Sequence, residues 1–91
     1  MKGQFTYQNK RFKYNFSVIE WANCKGYGAG RIDYKYKLFQ IGEFFYIDRN
    51  QPYEALLYKY ENMKKDELEE IIKNHIIKYY NELELKKKWR Y

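Results

Sequence analysis

The residues in this sequence best suited to chemistry are cations set among aromatic rings. Arg11 and Lys13 alternate with Phe12 and Tyr14, and Arg31, Lys35 and Lys37 alternate with Ile32, Tyr34, Tyr36 and Leu38. Successive side chains of an extended chain point to opposite faces. Arg31, Lys35 and Lys37 therefore share one side of one strand, and Arg11 and Lys13 share one side of another. If the two strands are neighbours, the five form one patch suited to phosphates. Asp33 has the same parity and repels an anion. A second cluster is Lys86-Lys87-Lys88-Trp89-Arg90-Tyr91, in which Lys87, Lys88 and Arg90 can hold a nucleic-acid backbone and Trp89 can stack on a base. Simpler explanations compete with both. A solvated strand face is polar in any case, Lys guards edge strands against pairing, and cations favour a helix C-terminus.

The segment Lys25-Gly26-Tyr27-Gly28-Ala29-Gly30-Arg31 is the third candidate. Its glycines allow positive φ, so residues 23–30 are expected to form a flexible hairpin loop. Lys25 and Arg31 flank it, an arrangement that can hold a phosphate on exposed amides. It lacks the spacing and the final Lys-Ser/Thr of a triphosphate-binding loop.

Signs of catalysis are sparse. His75 is the sole histidine and falls between Ile72 and Ile76 on an apolar stripe, which predicts a core or rim histidine with one hydrogen bond. Cys24 is the sole cysteine, so an internal disulfide and a cysteine zinc site are excluded. A Cys24–His75 thiol nucleophile lacks a third group. Glu20, Asp33, Glu43 and Asp48 are too scattered for a metal assignment. No catalytic residue, metal or cofactor is assigned. A metal-free ribonuclease or toxin rests on size and charge alone.

These residues need a scaffold. Residues 5–7 can form a first strand, with a turn at Asn9-Lys10. Residues 11–22 read as the second strand, because Phe12, Tyr14, Phe16 and Val18 alternate with polar residues. The parity changes at Ile19-Glu20-Trp21, which predicts a bulge or bend, the alternative being a stretch covered on both faces. Residues 31–40 form the next strand, Ile41-Gly42 breaks it, and residues 43–48 form the last. A helix is expected to start at Asn50-Gln51-Pro52 and end near Asn62 or Met63, with Tyr53, Leu56, Leu57 and Tyr60 on one face. Asp66 and Glu69 have capping-box spacing for a second helix. Its stripe holds Leu68, Ile71, Ile72, His75, Ile76, Tyr79, Tyr80 and Leu83.

The expected fold is α+β, with an antiparallel sheet of three or four strands, residues about 4–48, packed on one face by two C-terminal helices. With 91 residues and 11.4 kDa, the chain is read as a single domain over residues 1–91. That length excludes large multi-layer enzyme folds. The stripe looks wider than one small sheet can cover, so a homodimer is a further expectation. The N-terminus does not read as a signal peptide, no apolar run suits a membrane span, and the lone thiol suits a reducing compartment. A cytoplasmic protein without a membrane partner is expected.

The net charge is +6, and residues 1–49 hold nine basic against four acidic groups. Aromatic residues make up 22% of the chain. Together these favour a small non-enzymatic protein that binds DNA or RNA or acts as an accessory to it. The alternative is an interaction module, such as an inhibitor or adaptor of a larger enzyme.

Overall fold

A computed structural model of the chain describes residues 1–37, 39 and 41–88. Strand β1 (Lys2–Tyr7) turns back into β2 (Lys10–Trp21) through Gln8 and Asn9. Both turn residues have positive φ, 51° and 63°. Two-residue hairpins need such a pair to match the twist of their strands, and Asn tolerates it well. The turn therefore sits one residue before the expected Asn9-Lys10. β3 (Cys24–Lys35) and β4 (Glu43–Pro52) complete an antiparallel sheet of order β1-β2-β3-β4. Helices α1 (Tyr53–Glu61) and α2 (Lys65–Lys88) follow. The fold is the α+β arrangement that the pattern predicts, with the last helix long.

The glycine segment is not a loop. Residues Ala22 and Asn23 make the turn, and Gly26, Gly28 and Gly30 lie inside β3. Gly26 takes the positive φ expected of these glycines, 87°, with open space around it, whereas Gly28 and Gly30 are required by close approach. The register shifts between Glu20 and Trp21, but the extra residues, Lys25, Gly26 and Tyr27, belong to β3. β2 keeps its alternation and carries Trp21 on the same face as Arg11 and Lys13, which corrects the expected bulge in β2. A Cβ on Gly28 would run into the Ile19 carbonyl oxygen, and one on Gly30 would stand 2.9 Å from the Phe16 ring and 3.0 Å from Ile47. Gly28 and Gly30 are buried. The hairpin end is pinned as well, since the Gly26 amide donates to Glu20 Oε2 at 2.8 Å.

Three boundaries also move. β3 ends at Lys35, because Tyr36 leaves the ladder to pack on Phe12 and Tyr80 at ring separations of 5.1 and 5.2 Å. Leu38 and Gln40, in the rest of the expected strand, lie outside the described residues. Asn50, Gln51 and Pro52 end β4 and do not start a helix, for Gln51 and Pro52 pair with Gly28 and Tyr27. A residue before proline is steered away from the helical region, so α1 begins after Pro52. Asp66 does not cap α2. The Lys64 carbonyl already accepts the Leu68 amide at 3.0 Å, which leaves Asp66 and Glu67 within the first turn. They are favourable there through the helix dipole.

Both helices pack on one face of the sheet, α1 against β2, β3 and β4 and α2 against β1 and β3. Between them lie Phe12, Tyr14, Phe16, Ile32, Tyr34 and Ile47 from the sheet and Leu56, Tyr60, Leu68, Ile72, Ile76 and Tyr80 from the helices. Ring contacts link the layers, with Phe12 edge-on to Tyr80 at 5.3 Å and Phe45 stacked on Tyr79 at 4.6 Å. Much of the aromatic richness is therefore core packing. Of the stripe, Leu68, Ile72, Ile76 and Tyr80 are buried, Ile71, Tyr79 and Leu83 are half-buried, and His75 is exposed. Of the predicted core or rim position, the rim one holds and the core one does not. His75 sits at the margin of the buried row and faces outward. Among the described residues, no helix is long and apolar enough to cross a membrane.

Candidate functional site

The opposite face of the sheet carries the cations. Arg11, Lys13 and Asn15 are exposed while Phe12, Tyr14 and Phe16 between them are buried. β2 and β3 are neighbours in a register that sets Lys13 directly across from Lys35. Arg11, Lys13, Lys35, Tyr36 and Lys37 line one depression of about 240 Å³. A second depression, of about 340 Å³, adjoins it, with Lys2, Asn15 and Asp33 beside the same Lys13 and Lys35. Among the described residues, no ion pair engages Arg11, Lys13 or Lys35. Like charges directly opposite on an antiparallel pair are destabilising.

The end of α2 reaches the same edge. Burial pushes the Tyr36 hydroxyl above the usual tyrosine range, against the opposing pull of the Lys87 ammonium. Lys87 also pairs with Glu84 at 3.5 Å. Lys88 ends the helix and is exposed. Trp89 and Arg90 lie outside the described residues. Lys25 is exposed near the hairpin end of β3, ten residues along the strand from Lys35. The structure therefore joins Arg11, Lys13, Lys35 and Lys37 in one depression and sets Lys25 apart.

Arg31 has a different surrounding. Its Nη2 and Nε donate to Asp33 Oδ1 and Oδ2 at 3.0 and 3.1 Å, and this pairing holds the guanidinium above its ordinary pKa. The guanidinium also lies 4.2 Å from the centre of the Phe44 ring. Asp33 thus orients Arg31 and is not an unpaired acid within the patch. Phe44 stands across from Asp33, and Tyr46 across from Arg31. The row continues from Phe44 to Tyr46 at 5.6 Å and from Tyr46 to Trp21 at 5.0 Å. Trp21 Nε1 donates to Asn50 Oδ1 at 3.1 Å, and Arg49 lies 5.8 Å from the Tyr46 ring centre. Sequence reasoning missed Lys2, Trp21, Phe44, Tyr46 and Arg49. The available signal was β4 itself, in which Phe44 and Tyr46 on one parity and Phe45 and Ile47 on the other are all apolar or aromatic.

A polar cluster lies on the helix side. β4 carries two extra residues opposite Ala29, and Asp48 takes a φ of 51° there. Its carboxylate accepts hydrogen bonds from the Tyr60 hydroxyl and from Lys59 Nζ, the latter at 2.9 Å. Burial pushes the Asp48 carboxyl up, but these two donors outweigh it and hold it below the usual carboxylate range. Asp48, His75, Lys78 and Glu82 line one shallow depression of about 190 Å³. Among the described residues, no group of three or more His, Cys, Asp or Glu has metal-binding proximity. Cys24 is exposed at the hairpin end.

No protein-family model, curated protein or solved structure matches the chain.

Proposed function

We propose that the chain is a small non-enzymatic nucleic-acid-binding or accessory protein that receives phosphates on the outer face of its sheet. The observation that carries this reading is Lys13 directly across from Lys35, with Arg11 and Lys37 in the same depression. Edge protection does not account for these cations, because β2 and β3 are the interior strands of the sheet. A plain solvated face is also a poor match. It would gain from mixing charges, as Arg31 and Asp33 do one step further along. Phosphate oxygens would relieve the repulsion and release counterions. The exposed thiol of Cys24 suits a reducing, cytoplasmic setting.

The test is a binding titration against labelled DNA and RNA across salt concentrations. Four phosphate contacts predict a log–log salt slope of about −3. Lys13→Gln with Lys35→Gln should lower that slope by roughly 1.5–2 and weaken binding. The probe should be recovered uncut, since cleavage would make the chain a nuclease. Unchanged binding in the double variant would remove the patch from the function.

One observation favours a protein partner as a second reading. Phe39 and Ile41, in the connection from β3 to β4, are 95% and 91% exposed. An inhibitor or adaptor would use such residues as anchors. A stoichiometric complex lost on Phe39→Ser or Ile41→Ser, with no binding to DNA or RNA, would establish it. The same experiment run on the chain alone reports whether a second copy is the partner.

A further inference from the structure

The outer face has two adjoining parts, the cation depression and the row Arg31, Phe44, Tyr46 and Trp21. Resting on the phosphate-binding reading, we infer that the ligand is a single strand of nucleic acid, with phosphates on the cations and unpaired bases on the row. Three features of the face lead there.

The first is width. Four strands spaced ~4.8 Å apart span about 14 Å before side chains are added, more than the ~12 Å of a DNA major groove. The sheet cannot enter that groove flat, so a duplex would meet it through phosphates alone. The second is the chemistry of the row. Paired bases offer their edges, whereas the Arg31 guanidinium lying over one face of Phe44 makes with it a flat platform whose open side accepts the face of a base. Phe44 is 46% exposed, a large ring left open on a sheet whose other face buries its rings. The third is that the flat surfaces are held in place. Asp33 fixes Arg31 with charge-assisted hydrogen bonds from Nε and Nη2, and Asn50 holds the Trp21 indole with one neutral hydrogen bond. Fixed groups lose less freedom when a ligand binds. The Phe44 row lies two residues from Lys35 along β3, about 7 Å at ~3.3 Å per residue, so one strand meets both parts.

The test compares labelled oligothymidylate, oligouridylate and a duplex of equal length by fluorescence anisotropy at one salt concentration. Wild type, Phe44→Ala and Phe44→Leu are used, with circular dichroism to establish folding. Phe44→Leu keeps apolar bulk and removes the ring, so the test survives if Phe44→Ala misfolds. The expected result is tighter binding of either single strand than of the duplex. Removing the ring should weaken single-strand binding by about fivefold or more and leave duplex binding unchanged. Duplex binding as tight as single-strand binding, with no effect at Phe44, overturns the inference and leaves the phosphate reading standing. Binding of neither form at ~0.15 M salt, near the physiological value, overturns both.

Discussion

On the inner face of the sheet, polar tips find partners within the chain. The Tyr34 hydroxyl donates to Glu43 at 2.7 Å, the Tyr60 hydroxyl donates to Asp48, and among the described residues no buried side-chain nitrogen or oxygen lacks a hydrogen bond. On the outer face, Lys13 and Lys35 stand across from each other and neither forms an ion pair with a described residue. The same strands supply both faces. The inner one is complete in itself, while the outer one carries a repulsion that nothing in the fold requires. On the phosphate-binding proposal, that difference separates residues kept for stability from residues available for a ligand.

The largest effect expected is on the inner face. Ile72 is fully buried between α2 and the sheet, so Ile72→Ala should cost about 2–5 kcal/mol in urea unfolding. Near-normal stability in that variant would dissolve the contrast between the faces. Next comes Gly28→Ala, where the new methyl group meets the Ile19 carbonyl and should cost ~1–3 kcal/mol. Free tolerance there would show that β2 and β3 need no close approach.

Alkali should also act through the inner face. Burial first, and then hydrogen bonds to Glu43 and Asp48, push the Tyr34 and Tyr60 hydroxyls above the usual tyrosine range. Their folded pKa values are raised, so the stability they confer is intact below the unfolded value near 10. Above it each tyrosine should remove about 1.4 kcal/mol per pH unit until its folded pKa is reached. Tyr34→Phe should make the alkaline slope shallower, measured as unfolding free energy between roughly pH 10 and 11. An unchanged slope would show that Tyr34 does not titrate differently in the two states. The smallest effect belongs to the outer face. Lys13→Gln should stabilise the chain by about 0.2–1 kcal/mol as it relieves the repulsion from Lys35.

Much of the fold was legible because alternation and helical spacing are local. Phe12 to Val18 marked β2 and the long stripe marked α2, whereas the parity change at Ile19 and Trp21 marked half-buried side chains on the outer face and no bulge in β2. Gly26 has the positive φ that was read from the sequence, but Gly28 and Gly30 misled because their role depends on the neighbouring strand. Gly28 and Gly30 have no side chain where Ile19, Phe16 and Ile47 come close, and no local signal distinguishes that from a loop. The cations of the candidate site were legible as residues, but their opposition was not. Lys13 meets Lys35 because the chain turns at Ala22 and Asn23 and because β3 carries three extra residues, Lys25, Gly26 and Tyr27, between its partners of Trp21 and Glu20. The aromatic row was hidden because both parities of β4 are apolar, which leaves no alternation to assign its faces.

The most direct measurement is the melting temperature of wild type and Lys13→Glu at low salt, each with and without a saturating single-stranded oligonucleotide. Lys13→Glu places an acid across from Lys35 and should melt higher than wild type when no ligand is present. Wild type should gain several degrees with the oligonucleotide, and the variant should gain little. A variant that melts lower alone, and that gains as much from the ligand as wild type does, would contradict a face held open for phosphate.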